Sequence, residues 1–596
     1  MIENNFISIQ SFYNNSLASF LFSIILLINL ILLSRYISDK RFFFKTTSAL
    51  SEGLIFVFII SIISFFTYYI SLIGFNLNLL RFSLITINLI LFLILIKKFK
   101  KNIFDKNLEI TDYIFLFFFL LLAFSPTSDA DSLDYHLGYP LEILRNEIFT
   151  ARYDWYHSRI SGIGEFYNLF GLMAGSPIFG QIVNFVSIYY LLLILNEVIK
   201  EKKINNLKSR YIIFSTPILI WFVYSQKIQL LPSIVIAMSL LYLLNNKQIN
   251  FKNYSIFITN LIFVFFSKIS FIFPVSILFI YSLRYVYKYK EFYLSLILLS
   301  MVFIVPRFYF NYYYFGDIYP PLFEAYKSNP DLNFINFIND ISKDRATFKF
   351  NIIQFIYFPF KFTIPTKLSN LTITLSIYYT MIIYFMLNIK HYYKNKIFQY
   401  VILTTLFLMM LPNFQPRYFL DSYWCLMILV MYDYSKISKN ILIKILIFFG
   451  KIQSYLILFV VIIFSTYYFS ANFGKNQYNK IMSKIAQNYQ MILWISDKIP
   501  KDKLVVSDYV RSHALYETKF ISREEYFRKN SHEMNKLYSP DYFILTPEAE
   551  NIFKINKFSK CLLYTGNEKE FYNEARNPFG QKKNKSKVKI YENICK

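Results

Sequence analysis

The residues best suited to chemistry lie in one short stretch, SPTSDADSLDYHLGYP, where Asp129, Asp131, Asp134 and His136 fall within eight residues. Carboxylates this close repel one another, and a low-dielectric setting adds to the effect. Both raise a carboxylate pKa toward the range useful for proton transfer. One of them can act as general base on an acceptor hydroxyl, or several can help hold a divalent cation. The competing reading is a solvated acidic turn whose Asp and Ser cap the next helix. Cations stand elsewhere. Arg307 lies in PRFYFNYYYFGDIYPP, Arg417 and Asp421 in LPNFQPRYFLDSYW, Lys227 in YSQKIQLLPS and Lys268 in FSKISF. A planar guanidinium can clamp a phosphate, but an Arg near a span end can equally snorkel to headgroups. Arg417 and Asp421 have the spacing of a helical pair; otherwise Arg417 is left for an anionic lipid head. An ionisable residue at membrane depth costs about 2.5–3.5 kcal/mol and by default marks a functional site. At the water interface that cost shrinks, so Lys227 and Lys268 admit either reading.

The elements that must position these residues are membrane helices. Of 596 residues, 55% are hydrophobic, 21% aromatic and only 17% charged, with a mean hydropathy of +0.38; an ordinary soluble chain carries about 25% charged residues. Apolar runs such as FLFSIILLINLILL are continuous, as in spanning helices, rather than alternating, as in barrel strands. About fourteen such runs fall between residues 18 and 470, the pair around Lys268 being readable as one bent hairpin. The net charge of +26 does not point to nucleic acid, because the Lys and Arg residues sit in short loops between apolar runs. Every second loop is basic, from RYISDKRFFFK to SKISKNILIK. That alternation puts the basic loops in the cytoplasm. It puts the N-terminus, the loops 126–176 and 311–370, and the tail outside, on the periplasmic side of a bacterial inner membrane.

Three units follow: additional transmembrane helices over 1–110, a transmembrane catalytic module over 111–470, and a soluble tail over 471–596. The tail alternates β-like runs (KLVVSDY, DYFILT, VKIYE) with a polar helical stretch, SREEYFRKNSHEMNKLYS, the pattern of a small α/β domain. The fold class expected is therefore an all-α polytopic bundle with a C-terminal α/β domain. Amphipathic stretches in the outer loops, LEILRNEIF and FINFINDISK, suit the membrane interface. No cleavable signal peptide is evident. Cys561 and Cys595 can pair in an oxidising compartment, whereas Cys425 lies in an apolar run and no zinc-type spacing occurs.

In their order along the chain these motifs resemble the GT-C superfamily of integral-membrane glycosyltransferases, especially the bacterial protein mannosyltransferase-like and aminoarabinose transferase-like members. DADSLDYHL occupies the place of the family's acidic motif in the first outer loop, with Ser132 where an Asp-Glu pair is commoner. GEFYNLFGLMAG (164–175) resembles that loop's membrane-lying helix, and SKISFIFP a Lys-containing middle span. PRFYFNYYYFGDIYPP resembles an Arg-Asn-Tyr and Gly-Asn-Pro-Tyr-Pro run, with Asp317-Ile318 in place of Asn-Pro, and QPRYFLDSYW a late Arg-Tyr motif. The resemblance covers roughly residues 111–596. It implies an inverting transfer of a sugar from a polyprenyl-phosphate donor to the hydroxyl of a glycan, lipid or protein acceptor. By that analogy Asp131 is the general base, with Asp134, Asp129 and His136 as substitutes or acceptor-positioning groups. Arg307, Arg417 and Lys268 stabilise the departing phosphate. Glu165 holds the acceptor, and Tyr135, Asn311 and Lys227 complete the substrate site. No cofactor is expected; a divalent metal on Asp129, Asp131 and His136 is the variant some relatives would suggest. Beyond the donor and acceptor, the partners expected are membrane lipids.

Rival functions are an O-antigen-type polymerase or ligase, a lipid-linked substrate transporter, and a catalytically inactive relative whose tail binds a partner. Polymerases concentrate Arg-rich motifs in large outer loops and rarely end in a globular α/β tail. Transporters carry inverted repeats or interrupted helices, which the sequence does not clearly display.

Overall fold

The computed structural model describes residues 7–14, 16–41, 43–44, 48–99, 108–151, 155–245, 250–286, 290–320, 322–343, 352–410, 414–507, 513–522, 539–547, 550, 561–573 and 584–595. Most of them are helical. Among the described residues six helices are long and apolar enough to cross a membrane: Ser16–Asp39, Ala49–Ile73, Leu77–Phe99, Phe179–Glu201, Phe292–Phe315 and Ile441–Phe473; six shorter apolar helices accompany them. Leu77–Phe99 leaves most of its surface open, with Leu79, Phe82, Ile87 and Leu93 all more than half exposed. Phe179–Glu201 is buried along nearly its whole length. An apolar face bare on the outside of a bundle is what lipid contact requires.

Two expected spans are interrupted. The run near 211–225 splits into Ser209–Phe214 and Ile218–Val223, because Pro217 cannot donate to the helical ladder. The freed Ile218 amide bonds the carbonyl of Thr374 at 3.0 Å. The run near 371–388 is itself a succession of 3-10 turns, Leu368–Ile373 and Ile377–Thr380, before the short helix Met381–Leu387. The two interruptions support each other, Ser215 and Ser376 sharing a hydroxyl hydrogen bond of 2.7 Å. At Lys268 the hairpin reading is close: Lys268 is extended (φ −163°, ψ 140°) between Phe251–Ser267 and the turn Ile269–Phe271.

The amphipathic stretches of the outer loops are the helices Gly138–Asn146 and Leu332–Lys343. The tail carries a five-stranded mixed sheet: β1 (Leu504–Ser507), β2 (Lys519–Ser522), β3 (Tyr542–Leu545), β4 (Leu562–Asn573) and β5 (Asn584–Asn593), in the order β2-β1-β3-β5-β4. β1 pairs in parallel with β2 and β3, while β5 runs antiparallel to β3 and β4. The helical expectation for SREEYFRKNSHEMNKLYS falls almost wholly outside the described residues. Cys561 and Cys595 form a disulfide that ties the start of β4 to the chain just beyond β5.

Candidate functional site

The acidic turn begins where the helix Ile110–Ala123 ends. A polar lattice holds the chain as it leaves that helix. Gln181 donates to the Ser125 carbonyl (3.1 Å), Thr127 to Gln181 (3.0 Å), and Gln226 to Thr127 (3.1 Å) and the Pro177 carbonyl (2.9 Å). The turn itself, Ser132–His136, is a single π-helical turn with Asp131 before its first residue; such turns are rare and often sit at functional sites.

Opposite it runs a non-helical stretch, residues 224–229, between Ile218–Val223 and Leu230–Asn245. Irregular backbone deep in a bundle survives only where its carbonyls find partners. Asn184 collects those of Phe222 (2.9 Å) and Ser225 (3.3 Å), and Asn168 that of Gln226 (3.2 Å) together with that of His136 (3.1 Å). This stretch delivers Lys227 to the acidic turn. Its ammonium pairs with Asp131 Oδ2 and lies 3.3 Å from Asp129 Oδ2. Arg417, from the 3-10 turn Pro416–Phe419, comes within 4.0 Å of the same Asp131 oxygen. The ring of Trp221 lies under both cations, 4.5 Å from Lys227 and 5.6 Å from Arg417, an arrangement that favours positive charge. Lys268 stands next to this group, donating to Gln229 Oε1 at 3.5 Å and lying 5.7 Å from the Tyr418 ring. Gln229 donates onward to the Arg417 carbonyl at 2.8 Å.

The three aspartates are not equivalent. Asp129 is buried and committed, accepting from the Ser132 amide and hydroxyl (3.0 Å each) and from the Trp221 indole (2.8 Å). Asp134 is buried between two imidazoles, His157 Nδ1 at 3.5 Å and His513 Nδ1 at 3.3 Å. Asp131 keeps 28% of its side chain exposed and is the one open to a ligand. The sequence argument has its pKa raised; the structure reverses that. Burial does oppose its ionisation, but the charges of Lys227 and Arg417 outweigh burial and hold the carboxyl well below the usual range. The reversal comes from two cations brought 96 and 286 positions along the chain to one oxygen, which no local pattern encodes.

His136 and Glu165 form a second, sealed pair: Nδ1 to Oε1 is 2.8 Å, and both side chains are buried. Burial, with Lys227 and Lys268 adding to it, pushes the imidazole well below its ordinary pKa. Burial pushes the Glu165 carboxyl well above its own, against the pull of the same two lysines. Both shifts favour the uncharged forms, and one hydrogen bond joins the two groups. Glu165 starts the helix Glu165–Ala174, as expected for 164–175, and the helix is buried on nearly every face. It seats that closely because Gly162 and Gly164 precede it: a methyl at Gly162 would meet the Ser267 carbonyl, and one at Gly164 the Ile228 side chain. Tyr135 lies half-buried beside this pair, its ring 4.1 Å from His136 and stacked at 5.1 Å on His157.

Thus Asp131, Asp129, Lys227, Arg417 and Lys268 are brought together, with His136, Glu165 and Tyr135 adjoining. Arg307 stands apart. It donates to the Ser161 carbonyl at 3.1 Å and lies over the Tyr68 ring at 4.8 Å; among the described residues no ion pair joins it to Asp131. Asn311 is likewise spent locally, donating to the Ile318 carbonyl at 3.0 Å. The Arg417–Asp421 pair does not form among the described residues: Arg417 turns to Asp131, and Asp421 is buried at the start of the helix Leu420–Tyr432. No group of three or more metal-ligating side chains that could hold an ion occurs among the described residues; Asp129 is already occupied by Ser132 and Trp221. Sequence reading missed Trp221, Gln229, Asn168 and His513. Gln181, Asn184 and Gln226, polar residues inside apolar runs, are the signal that points to the first three.

No family model matches the chain, and no curated protein matches it. Among solved structures the chain is similar to the crystal structure of ArnT from Cupriavidus metallidurans bound to undecaprenyl phosphate, at 10% identity and a TM-score of 0.48, covering 81% of this chain and 97% of that one. It is similar to the apo state of the same protein at 10% identity and a TM-score of 0.47, covering 80% and 96%.

Proposed function

We propose that the chain is an integral-membrane glycosyltransferase that moves a sugar from a polyprenyl-phosphate donor to an acceptor hydroxyl at the outer, periplasmic face of the bacterial inner membrane. The observation that carries the reading is the meeting of one partly open carboxylate, Asp131, with Lys227 and Arg417, and Lys268 close by. A phosphate needs such cations; an attacking hydroxyl needs such a base.

In this reading the acceptor oxygen attacks the anomeric carbon, the bond from that carbon to the phosphate oxygen breaks, and the electron pair leaves with the lipid phosphate. The hydroxyl proton passes to Asp131. A carboxylate gripped by two cations is a weak base, but an arriving phosphate competes for both. As Lys227 and Arg417 turn to it, Asp131 recovers its basicity. The donor thus arms the base, and the same cations stabilise the charge on the leaving phosphate. The buried His136–Glu165 pair backs the acceptor side of the site from behind the acidic turn.

The test is Asp131→Asn in membranes supplied with polyprenyl-phosphate sugars. Transfer by the wild type, lost in the variant at equal expression, supports the reading. Undiminished transfer removes Asp131 as the base, and a wild type inert toward every such donor removes the reading.

A further inference from the structure

Among the described residues, a short segment of the tail reaches the candidate site. Segment 513–516, between β1 and β2, lies between the acidic turn and the start of the chain. The Ala514 amide donates to the Leu133 carbonyl at 2.8 Å, and the Ile9 amide to the Ala514 carbonyl at 2.9 Å. Gln10 donates to the Leu515 carbonyl at 3.2 Å, and Arg145 to the Tyr516 carbonyl at 3.1 Å. In this arrangement His513 reaches Asp134. Its ring stacks on Trp155 at 4.0 Å and 12°, and its Cβ lies where a side chain at Gly138 would begin. A glycine is required there for the tail to come this close. Asp134 takes His513 on one oxygen and His157 on the other, and His157 in turn stacks on Tyr135 within the same turn.

We propose that His513 is a positioning residue: with His157 it clamps Asp134 and so holds the π-helical turn that has Asp131 at its start and His136 at its end. Asp134 then does no proton transfer of its own. The two imidazoles approach it from both sides, His513 Nδ1 at 3.3 Å and His157 Nδ1 at 3.5 Å, and so wedge the buried carboxylate between two rings. A single π turn gains little from its own hydrogen bonds and needs outside support. Among the described residues these contacts hold backbone, the Trp155 ring and the Asp134 carboxylate, and none brings a tail side chain to Lys227 or Arg417. The tail is thus a brace of the site rather than a separate binding module. The catalytic consequence rests on the transferase reading; the mechanical one does not.

The contact uses Nδ1, and this makes the test specific. In full-length protein in lipid nanodiscs, His513→Asn places an amide nitrogen where Nδ1 stands, and His513→Gln places it where Nε2 stands. Asn is expected to keep the slow hydrogen exchange of the Leu133, Leu137 and Ala514 amides. Gln is expected to speed it and, with KM little changed, to lower sugar transfer by about tenfold or more, as small displacements of reacting groups do. Equal exchange in the two variants overturns the clamp. Should the wild type transfer no sugar, the exchange comparison still decides the clamp while the transferase reading falls alone.

Discussion

Asp131 and Glu165 are two carboxyls pushed in opposite directions by their surroundings. Asp131 is held toward its ionised form because Lys227 and Arg417 outweigh its burial, and Glu165 is pushed toward its neutral form because burial outweighs Lys227 and Lys268. A carboxyl raised by folding favours the folded state most below its ordinary pKa of about 4.3, and that contribution is lost as pH rises through the folded value. Glu165→Gln, which mimics the neutral acid at every pH, is therefore expected to melt at least as high as the wild type at neutral pH and to flatten the decline as pH rises above the ordinary carboxylate range. Glu165→Ala strands the His136 Nδ1 and is expected to cost about 1–3 kcal/mol. Thermal melts of both variants from pH 6 to 9 check this, and equal losses in the two would show that the carboxyl is ionised. The Lys227–Asp131 pair runs the other way. Its contribution is present above the ordinary carboxylate range and is lost only as pH falls through Asp131's own depressed value. Lys227→Met is expected to weaken binding of a polyprenyl phosphate by about tenfold or more, the worth of a desolvated charge contact; titration with the lipid phosphate measures it.

At the scale of elements, the breaks matter more than the spans. The long helices were legible because 20-residue apolar runs have one meaning in a chain of this composition. The gap between the runs near 211–225 and 229–244 was legible too, but not the course of the chain through 224–229. Its path depends on Asn184 and Asn168 taking up the loose carbonyls from neighbouring helices. Asp129, Asp131 and His136 were legible as a cluster, but which of them stays open depends on partners as far away as Trp221 and Arg417. Arg307 and Asn311, which look equally apt in sequence, are occupied by the carbonyls of Ser161 and Ile318. The seat of the Glu165–Ala174 helix is also a close approach rather than a motif. Gly162→Ala is expected to push it off the Ser267 carbonyl and to cost about 1–3 kcal/mol, with Glu165 and His136 displaced together. A variant that melts like the wild type would contradict that packing.

Across the whole molecule, the chain closes on itself: its first described residues bond the tail at Ala514, and the tail bonds the acidic turn at Leu133. The tail's α/β character was legible from its short β-rich runs, whereas this docking was not, because His513 lies 379 positions from Asp134 with nothing between them to announce the meeting. The Cys561–Cys595 bond closes a separation of 34 residues; removing it is expected to destabilise the tail by roughly 3–4 kcal/mol on the loop-entropy model, seen as earlier proteolysis of Cys561→Ser. Such a bond persists in an oxidising compartment, and the outward side proposed for the tail is one. That side is also where the acid and the cations must open if they serve a lipid-linked donor. The most direct test labels Ser128→Cys, partly exposed just before Asp129, with a membrane-impermeant maleimide in sealed vesicles of known orientation, with and without polyprenyl phosphate. The account predicts labelling from the face opposite the basic loops and protection by the lipid phosphate. Labelling from the basic-loop face, or a rate indifferent to that lipid, would contradict it.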